Sequence, residues 1–518
     1  MTPEPVVRLE NYFQEPYNLA IATARTCYSS KVISSGDVGK DDKSREQRDR
    51  IAESIYKAGH HTTIQHPTFQ FVLERVSRQF IWSFLHAHPF YNSEQVSQRY
   101  VEVKAENFTT PPMSEEARAV YLDAVHEQMD AYHRLIDLVE PVVVKEYGRI
   151  FPSRNVEEKR WASSVKKRCQ EVARYVLPVA THAHLYHTIS GLTLHRYWRL
   201  CQQFDAPLEQ RVVVQRMVDE VTKIDPHFME LAEEPLPLEE TVEYQAFQQF
   251  HGAARNGSTK RFLDAFDLEL GGATSKLVDY KVHAQASMAQ GVRSVLGLTQ
   301  EQLSDEQAIA LVLDPSQNHY LAESLTLTTM SKLSRAMVHP HFTFKKKLSH
   351  TADSQDQRHR MVPGSRPILA CHFVSGRPDY ILPPLIAASP EAEETYRRIM
   401  ARTWEAIDRL LHLGVPLEHA LYLLPNAFPI RFEESGDLLH FHHKWVQRLC
   451  YTAQEEIWNA CRDEVLQVKT QFPELGQYIQ APCWVRQQAG VKPFCPEGDR
   501  FCGVAVWRKP VEEYQRLI

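Results

Sequence analysis

The sequence predicts an α+β fold present as two tandem copies, and three observations carry that prediction. The first is an internal repeat. "VRLENYFQEPYNLAIATAR" from Val7 and "SKLVDYKVHAQASMAQGVR" from Ser275 share Leu9/Leu277, Tyr12/Tyr280 and Arg25/Arg293 at a spacing of 268. Further on, "EVARYVLP" (Glu171 to Pro178) faces "EHALYLLP" (Glu418 to Pro425) at a spacing of 247, and Ala206/Ala453 and Glu209/Glu456 keep it. Between these anchors Ser77-Arg78 answers Ser334-Arg335. The second observation is that each copy passes from an alternating apolar run into segments of helical periodicity. The third is length, because 518 residues exceed what one core ordinarily organises. Each copy is long enough to be a full domain rather than a solenoid unit.

The elements come in a fixed order. "TFQFVL" (Thr68 to Leu73) puts Phe69, Phe71 and Leu73 on one face, which is a strand pattern. Val76, Phe80, Ile81, Phe84 and Leu85 then mark the buried stripe of a helix, and the loop "FYNSEQVSQRYVEV" comes after it. A long amphipathic helix is next, with Tyr121, Val125, Met129, Tyr132, Ile136 and Val139 on its apolar side. Its counterpart in the second copy starts at Ser389-Pro390, as cap and first-turn proline, and closes at Gly414. "HGAARNGSTK" (His251 to Lys260) is the expected linker, dividing the chain into 1–255 and 256–518.

Hydrophobic content of 43%, charged content of 24% and a net charge of −6 describe a globular chain. The acidic balance lacks the electrostatic footprint of a nucleic-acid binder. No run approaches about eighteen apolar residues, and Met1 to Glu10 lacks a basic-then-apolar leader pattern. A cytoplasmic protein without membrane contact is expected, with its nine cysteines reduced.

The stretch "HTTIQHPTFQFVLERVSRQFIWSFLHAHPFYNSEQVSQRYV" resembles the signature region of the flavin-dependent thymidylate synthases, the ThyX family, whose motif runs RHRxxSxxxxSxRY. Its strongest parts are Ser97-x-Arg99-Tyr100, the His61/His66 pair, and "EVARYVLP" against the family's ExAR-x-x-LP. "RLCYTAQEEI" from Arg448 resembles the family's LR-x4-AQxEI segment. The resemblance implies two ThyX-like domains, each a mixed sheet flanked by long helices. It also implies reductive methylation of uracil C5, turning dUMP into dTMP, with a one-carbon unit from methylenetetrahydrofolate and hydride from FADH2 reduced by NADPH. Because family sites form where subunits meet, two fused copies replace a dimer, and a homodimer of this chain restores four domains.

Departures from the pattern sharpen the expectation. The RHR triplet is reduced to His86-Ala87-His88 or, with a one-residue shift, Ala87-His88-Pro89 in the first copy, and to Lys345-Lys346-Lys347 near the equivalent place in the second. Histidine and lysine do not reproduce the bidentate, always-charged guanidinium. The first copy keeps the ExAR arginine as Arg174 but has Cys201 where the second family arginine belongs, whereas the second copy has Leu421 and Arg448. One composite site is therefore expected. Arg174 and Arg99 would hold phosphate and Arg448 would polarise the uracil carbonyl, with Ser97, Gln95, Tyr100 and Arg358 on the substrate side. His61, His86, His88, Ser190 and Glu209 are the positions the resemblance assigns to FAD.

Arg99 and Arg174 also have a structural reading as interdomain ion pairs, and Cys201 one as a small apolar residue rather than a thiolate nucleophile. His182, His184 and His187 in "THAHLYH" lack a complete ligand set, and helical spacing would put His184 and His187 on one face. Cys483, Cys495 and Cys502 in a Pro/Gly-rich C-terminal stretch invite structural zinc, with Cys461 or a histidine among His440, His442 and His443 as fourth ligand. Two further functions are open: a non-catalytic descendant that binds a nucleotide or scaffolds a partner, and a methylase of a different uridine substrate.

Overall fold

Each copy places its repeat-matched segments in a four-stranded sheet with helices beside it. The computed structural model describes residues 1–86, 88–202, 205–230, 232–251 and 255–516. In the first sheet β1 (Val6–Tyr12), β2 (Thr68–Ser77), β3 (Tyr91–Gln95) and β4 (His182–Ser190) run in the order β1-β2-β4-β3. In the second, β5 (Ser275–Tyr280), β6 (His341–Ser349), β7 (Gly364–Ser365) and β8 (Pro429–Asp437) repeat that order as β5-β6-β8-β7. The α+β class and the tandem arrangement are as expected. The pairings are antiparallel throughout, where a mixed sheet was implied.

The repeat spacings are structural. β1 and β5 carry bulges at Leu9/Asn11 and Leu277/Asp279, which are the same positions at a spacing of 268. β4 and β8 coincide end to end at the spacing of 247. A single-residue step in the spacing has a local cause in β2, where Leu73 matches Lys346 at 273 and Ser77 matches Ser349 at 272. A bulge lies between Glu74 and Val76, with Arg75 in the left-handed region at φ 56°, and the β6/β8 register has no such step. One extra residue thus entered the first copy. The counterpart of Ser77 is consequently Ser349, not Ser334, which lies in a short turn ahead of β6. "THAHLYH" is strand, because Ala183, Leu185 and Ile189 point inward in alternation; His187 shares their face and His184 does not.

The long helices form where the stripes place them. Glu115–Ile150 starts under the Ser114 cap, whose hydroxyl accepts from Ala117 N–H at 3.3 Å, and Tyr121, Val125, Tyr132 and Val139 are fully buried. Pro390–His412 has Ser389 as cap and is followed by Gly414 at φ 79°. These two helices pack on each other and join one hydrophobic core that spans both copies, while a second core lies under the first sheet. The expected linker is largely replaced. Residues 252–254 lie outside the described ones, and the helix Arg255–Leu270 occupies the adjoining stretch, pulled into place by buried Leu263, Phe266 and Leu270.

Main-chain pairing fastens the copies along the two matching octapeptides. Val179 N–H donates to Leu424 O at 2.8 Å and Ala180 N–H to Tyr422 O at 3.0 Å. Asn426 and Ala427 return the bonds to Leu177 O and Tyr175 O at 2.8 and 2.9 Å. Gln128 bridges the same seam, donating to Val176 O and Leu423 O. Burial leaves these amides no water to bond, so pairing across the seam satisfies them.

Candidate functional site

Beside this seam the loop after β3 and the second copy enclose a cavity of about 200 Å³. Arg78, Arg99 and Arg174 reach it from the first copy, Arg358 and Arg448 from the second, and no carboxylate is among its lining residues. Gln95, Ser97 and Tyr100 complete the near wall, Tyr100 being 55% exposed. All seven residues expected on the substrate side or in catalysis therefore converge on one space.

Each guanidinium is aimed by local structure. Arg174 lies just past the helix Lys159–Ala173 and spends Nε on Glu171 O at 3.1 Å, while its Nη2 is buried without an acceptor among the described residues. Arg99 is ion-paired with Glu171 of its own copy at 2.9 Å and donates to Thr452 O of the second copy at 2.9 Å, so it joins the copies by a hydrogen bond and not by the interdomain ion pair of the structural reading. The Ser97 hydroxyl accepts from Arg99 N–H at 3.2 Å and so shapes the loop. Arg448, at the end of the helix Leu438–Arg448, donates from Nε to His359 Nε2 at 2.8 Å. Arg358 pairs with Glu94 at 2.6 Å across the copies.

Burial and mutual repulsion strain this cluster. Burial first, then Arg174, pulls Arg78 down to about 9. Arg174 is lowered by burial and by Arg99 despite Glu171, and Arg448 by burial, with Arg358 and Arg99 adding to it. Arg99 alone is raised: burial opposes its charge, and Glu171 more than offsets that. Glu171 is itself buried, yet Arg168, Arg99 and Arg174 bring it down to about 2. Guanidiniums crowded in low dielectric bind an anion strongly, because each gains the partner it lacks.

Arg78 was not singled out from sequence. Its signal was its place at the first turn of the helix Arg78–His86, directly after a strand, where it donates to Gln95 Oε1 at 3.0 Å and Val96 O at 2.7 Å. By contrast the pseudo-equivalent positions of Arg174 and Arg448 are apolar. Leu421 and Cys201 are buried within the hydrophobic cores, which favours the apolar reading of Cys201.

The five positions assigned to FAD do not converge. His61 bonds Tyr56 O at 3.1 Å in a turn away from the arginine cavity. His86 lies against Asp353 at 3.0 Å, lowered by burial despite that carboxylate. His88 meets Tyr197 Oη at 2.8 Å and is pushed down to about 4 by burial and by Arg196 and Arg360. Ser190 caps the helix Gly191–Arg199. Glu209 is wholly buried, accepts from Ser77 N–H at 2.8 Å and Tyr422 Oη at 2.6 Å, and is raised by burial. Its counterpart Glu456 does the same for Ser349 and Tyr175, so both carboxylates are interdomain struts. Lys345 to Lys347 lie within β6. Lys346 is fully buried against Asp356, Glu434 and Glu464 at 3.2, 3.0 and 2.9 Å, and binds no external phosphate.

Zinc is not supported as expected. Among the described residues no group of three or more His, Cys, Asp or Glu is placed to hold a metal ion. Cys461 is buried elsewhere, beside Glu464, Lys444 and Lys346. Cys483, Cys495 and Cys502 instead line a cavity of about 390 Å³ together with Cys450.

Two copies of one α+β fold thus close on a shared arginine-lined cavity at their seam. The chain belongs to the family described as thymidylate synthase complementing protein, whose model matches residues 8–227 and again 276–474. It is similar to the flavin-dependent thymidylate synthase of Clostridium tetani (strain Massachusetts / E88), 25% identical over 224 residues, covering 43% of this chain and 84% of the relative. The flavin-dependent thymidylate synthase of Nitratidesulfovibrio vulgaris (strain Hildenborough) is 27% identical over 227 residues, covering 42% and 81%. Among solved structures, a UMP/dUMP methylase PolB from Streptomyces cacaoi bound with 5-Br dUMP aligns at 18% identity and a TM-score of 0.29, covering 44% of this chain and 94% of that one.

Proposed function

We propose that the chain binds a uracil nucleotide, dUMP first, in the arginine cavity and methylates its base at C5. The observation that carries this reading is the convergence of Arg174 from one copy and Arg448 from the other on a cavity without carboxylates. Arg174, Arg99 and Arg78 hold the phosphate, and Arg448 faces the base, where it steadies negative charge developing on a carbonyl. Family membership supports methylenetetrahydrofolate and NADPH as co-substrates and FAD as cofactor. The side chains expected toward FAD are committed to internal contacts at separate places, so they do not fit one flavin and no step is derived through it. A dimer of the chain, with four copies of the fold, belongs to the same reading.

That scatter favours a second reading, a nucleotide-binding protein without methylase activity. Calorimetric titration with dUMP, followed by a tritium-release assay at C5 with methylenetetrahydrofolate, NADPH and FAD, separates the two. Binding with tritium release supports methylation; binding without it supports the second reading; no binding overturns both.

A further inference from the structure

The C-terminal cavity shares Arg99, Tyr100 and Arg448 with the arginine cavity, but its cysteines have no part in the nucleotide reading. Four thiols from separate parts of the chain meet there: Cys450 just past the helix Leu438–Arg448, Cys483 in the first turn of the helix Pro482–Gln488, and Cys495 and Cys502 in the turn-rich stretch beyond it. We propose that Cys450, Cys483, Cys495 and Cys502 ligate an iron–sulfur cluster in this cavity.

Convergence is the first argument. Nine cysteines are free, and four of them line one space of about 390 Å³. Zinc would need its thiolates about 2.3 Å from a single point, and the described side chains do not close on one ion. A cluster interposes iron and sulfide between the ligands and takes four cysteines further apart.

Charge is the second argument. Four neighbouring thiolates are costly in this cavity unless positive charge sits between them, and iron supplies that charge. Arg99, Arg448, Arg486 and Arg500 line the same cavity against Glu323 and Glu497, a cationic balance suited to an anionic cluster.

The test uses the full chain, purified without oxygen and reconstituted with ferrous iron and sulfide. Expected are iron and acid-labile sulfide in equal amounts, about two or four of each per chain, with a broad visible absorption that bleaches on dithionite. Cys450→Ala and Cys483→Ala should each lower iron content at least fivefold, and Cys27→Ala, at an exposed cysteine outside the cavity, should leave it unchanged. Should the cavity variants fail to fold, iron and sulfide on the unaltered chain decide. One zinc per chain without sulfide, no iron after reconstitution, or iron content indifferent to Cys450 and Cys483 would each overturn the proposal.

Discussion

Arg174 carries its charge where burial and a neighbouring guanidinium work against it, with one Nη2 lacking an acceptor among the described residues. An anionic ligand relieves both conditions. Arg174→Ala and Arg448→Ala should each weaken dUMP binding by about 1.5–3 kcal/mol, roughly 10- to 150-fold in Kd by calorimetry. Unchanged affinity in both would remove these residues from the site. Glu171 adds a pH signature. Its folded value is depressed to about 2 from the ordinary 4.5, so its stabilisation is complete above about 4.5 and fades as pH falls toward 2. Thermal melts of Glu171→Gln should lose that part of the acid-side slope seen in the unaltered chain. At this scale the substrate-side residues were legible because they sit in short contiguous motifs. Glu209 and Ser190 instead make internal contacts, as a strut and a helix cap, and the meeting of Cys450 with Cys483 is not visible in sequence because 33 residues part them.

The seam shows what single elements contribute. Ser77, Glu209 and Tyr422 form one strut and Ser349, Glu456 and Tyr175 the matching one, each joining a strand end to the opposite copy. Tyr422→Phe leaves a buried carboxylate short of a donor and should cost about 1–3 kcal/mol in a urea titration. A loss below a few tenths of a kcal/mol would show that the strut is dispensable. Both long helices were readable from their stripes and caps, where apolar period and terminus chemistry agree. The linker was not, since Gly257 and Ser258 suggested a break while Leu263, Phe266 and Leu270 extended the helix back over them. Ser77 was paired with Ser334 because the Ser-Arg dipeptide recurs there, whereas its partner at the end of β6, Ser349, is followed by His350.

On the scale of the whole chain, pseudo-symmetry is kept in the backbone and broken in the chemistry. The composite cavity has Arg174 and Arg448, and its pseudo-equivalent has Leu421 and Cys201 in apolar surroundings. Nucleotide should therefore bind at one per chain, and a calorimetric stoichiometry of two would contradict a single composite site. The duplication was visible as paired spacings, but which copy's loop faces which helix is a matter of docking, encoded in no local motif.

The backbone bonds at Val179, Ala180, Asn426 and Ala427 lie within a few residues of Arg174, or reach it across the seam, and Asn426 also donates its side chain to Arg174 O at 3.0 Å. Parting the copies and dismantling the cavity are thus one opening event. Amide deuterium uptake at these four positions becomes a clock for that event, and saturating nucleotide should slow it by the factor 1 + [L]/Kd while leaving frayed surface amides untouched.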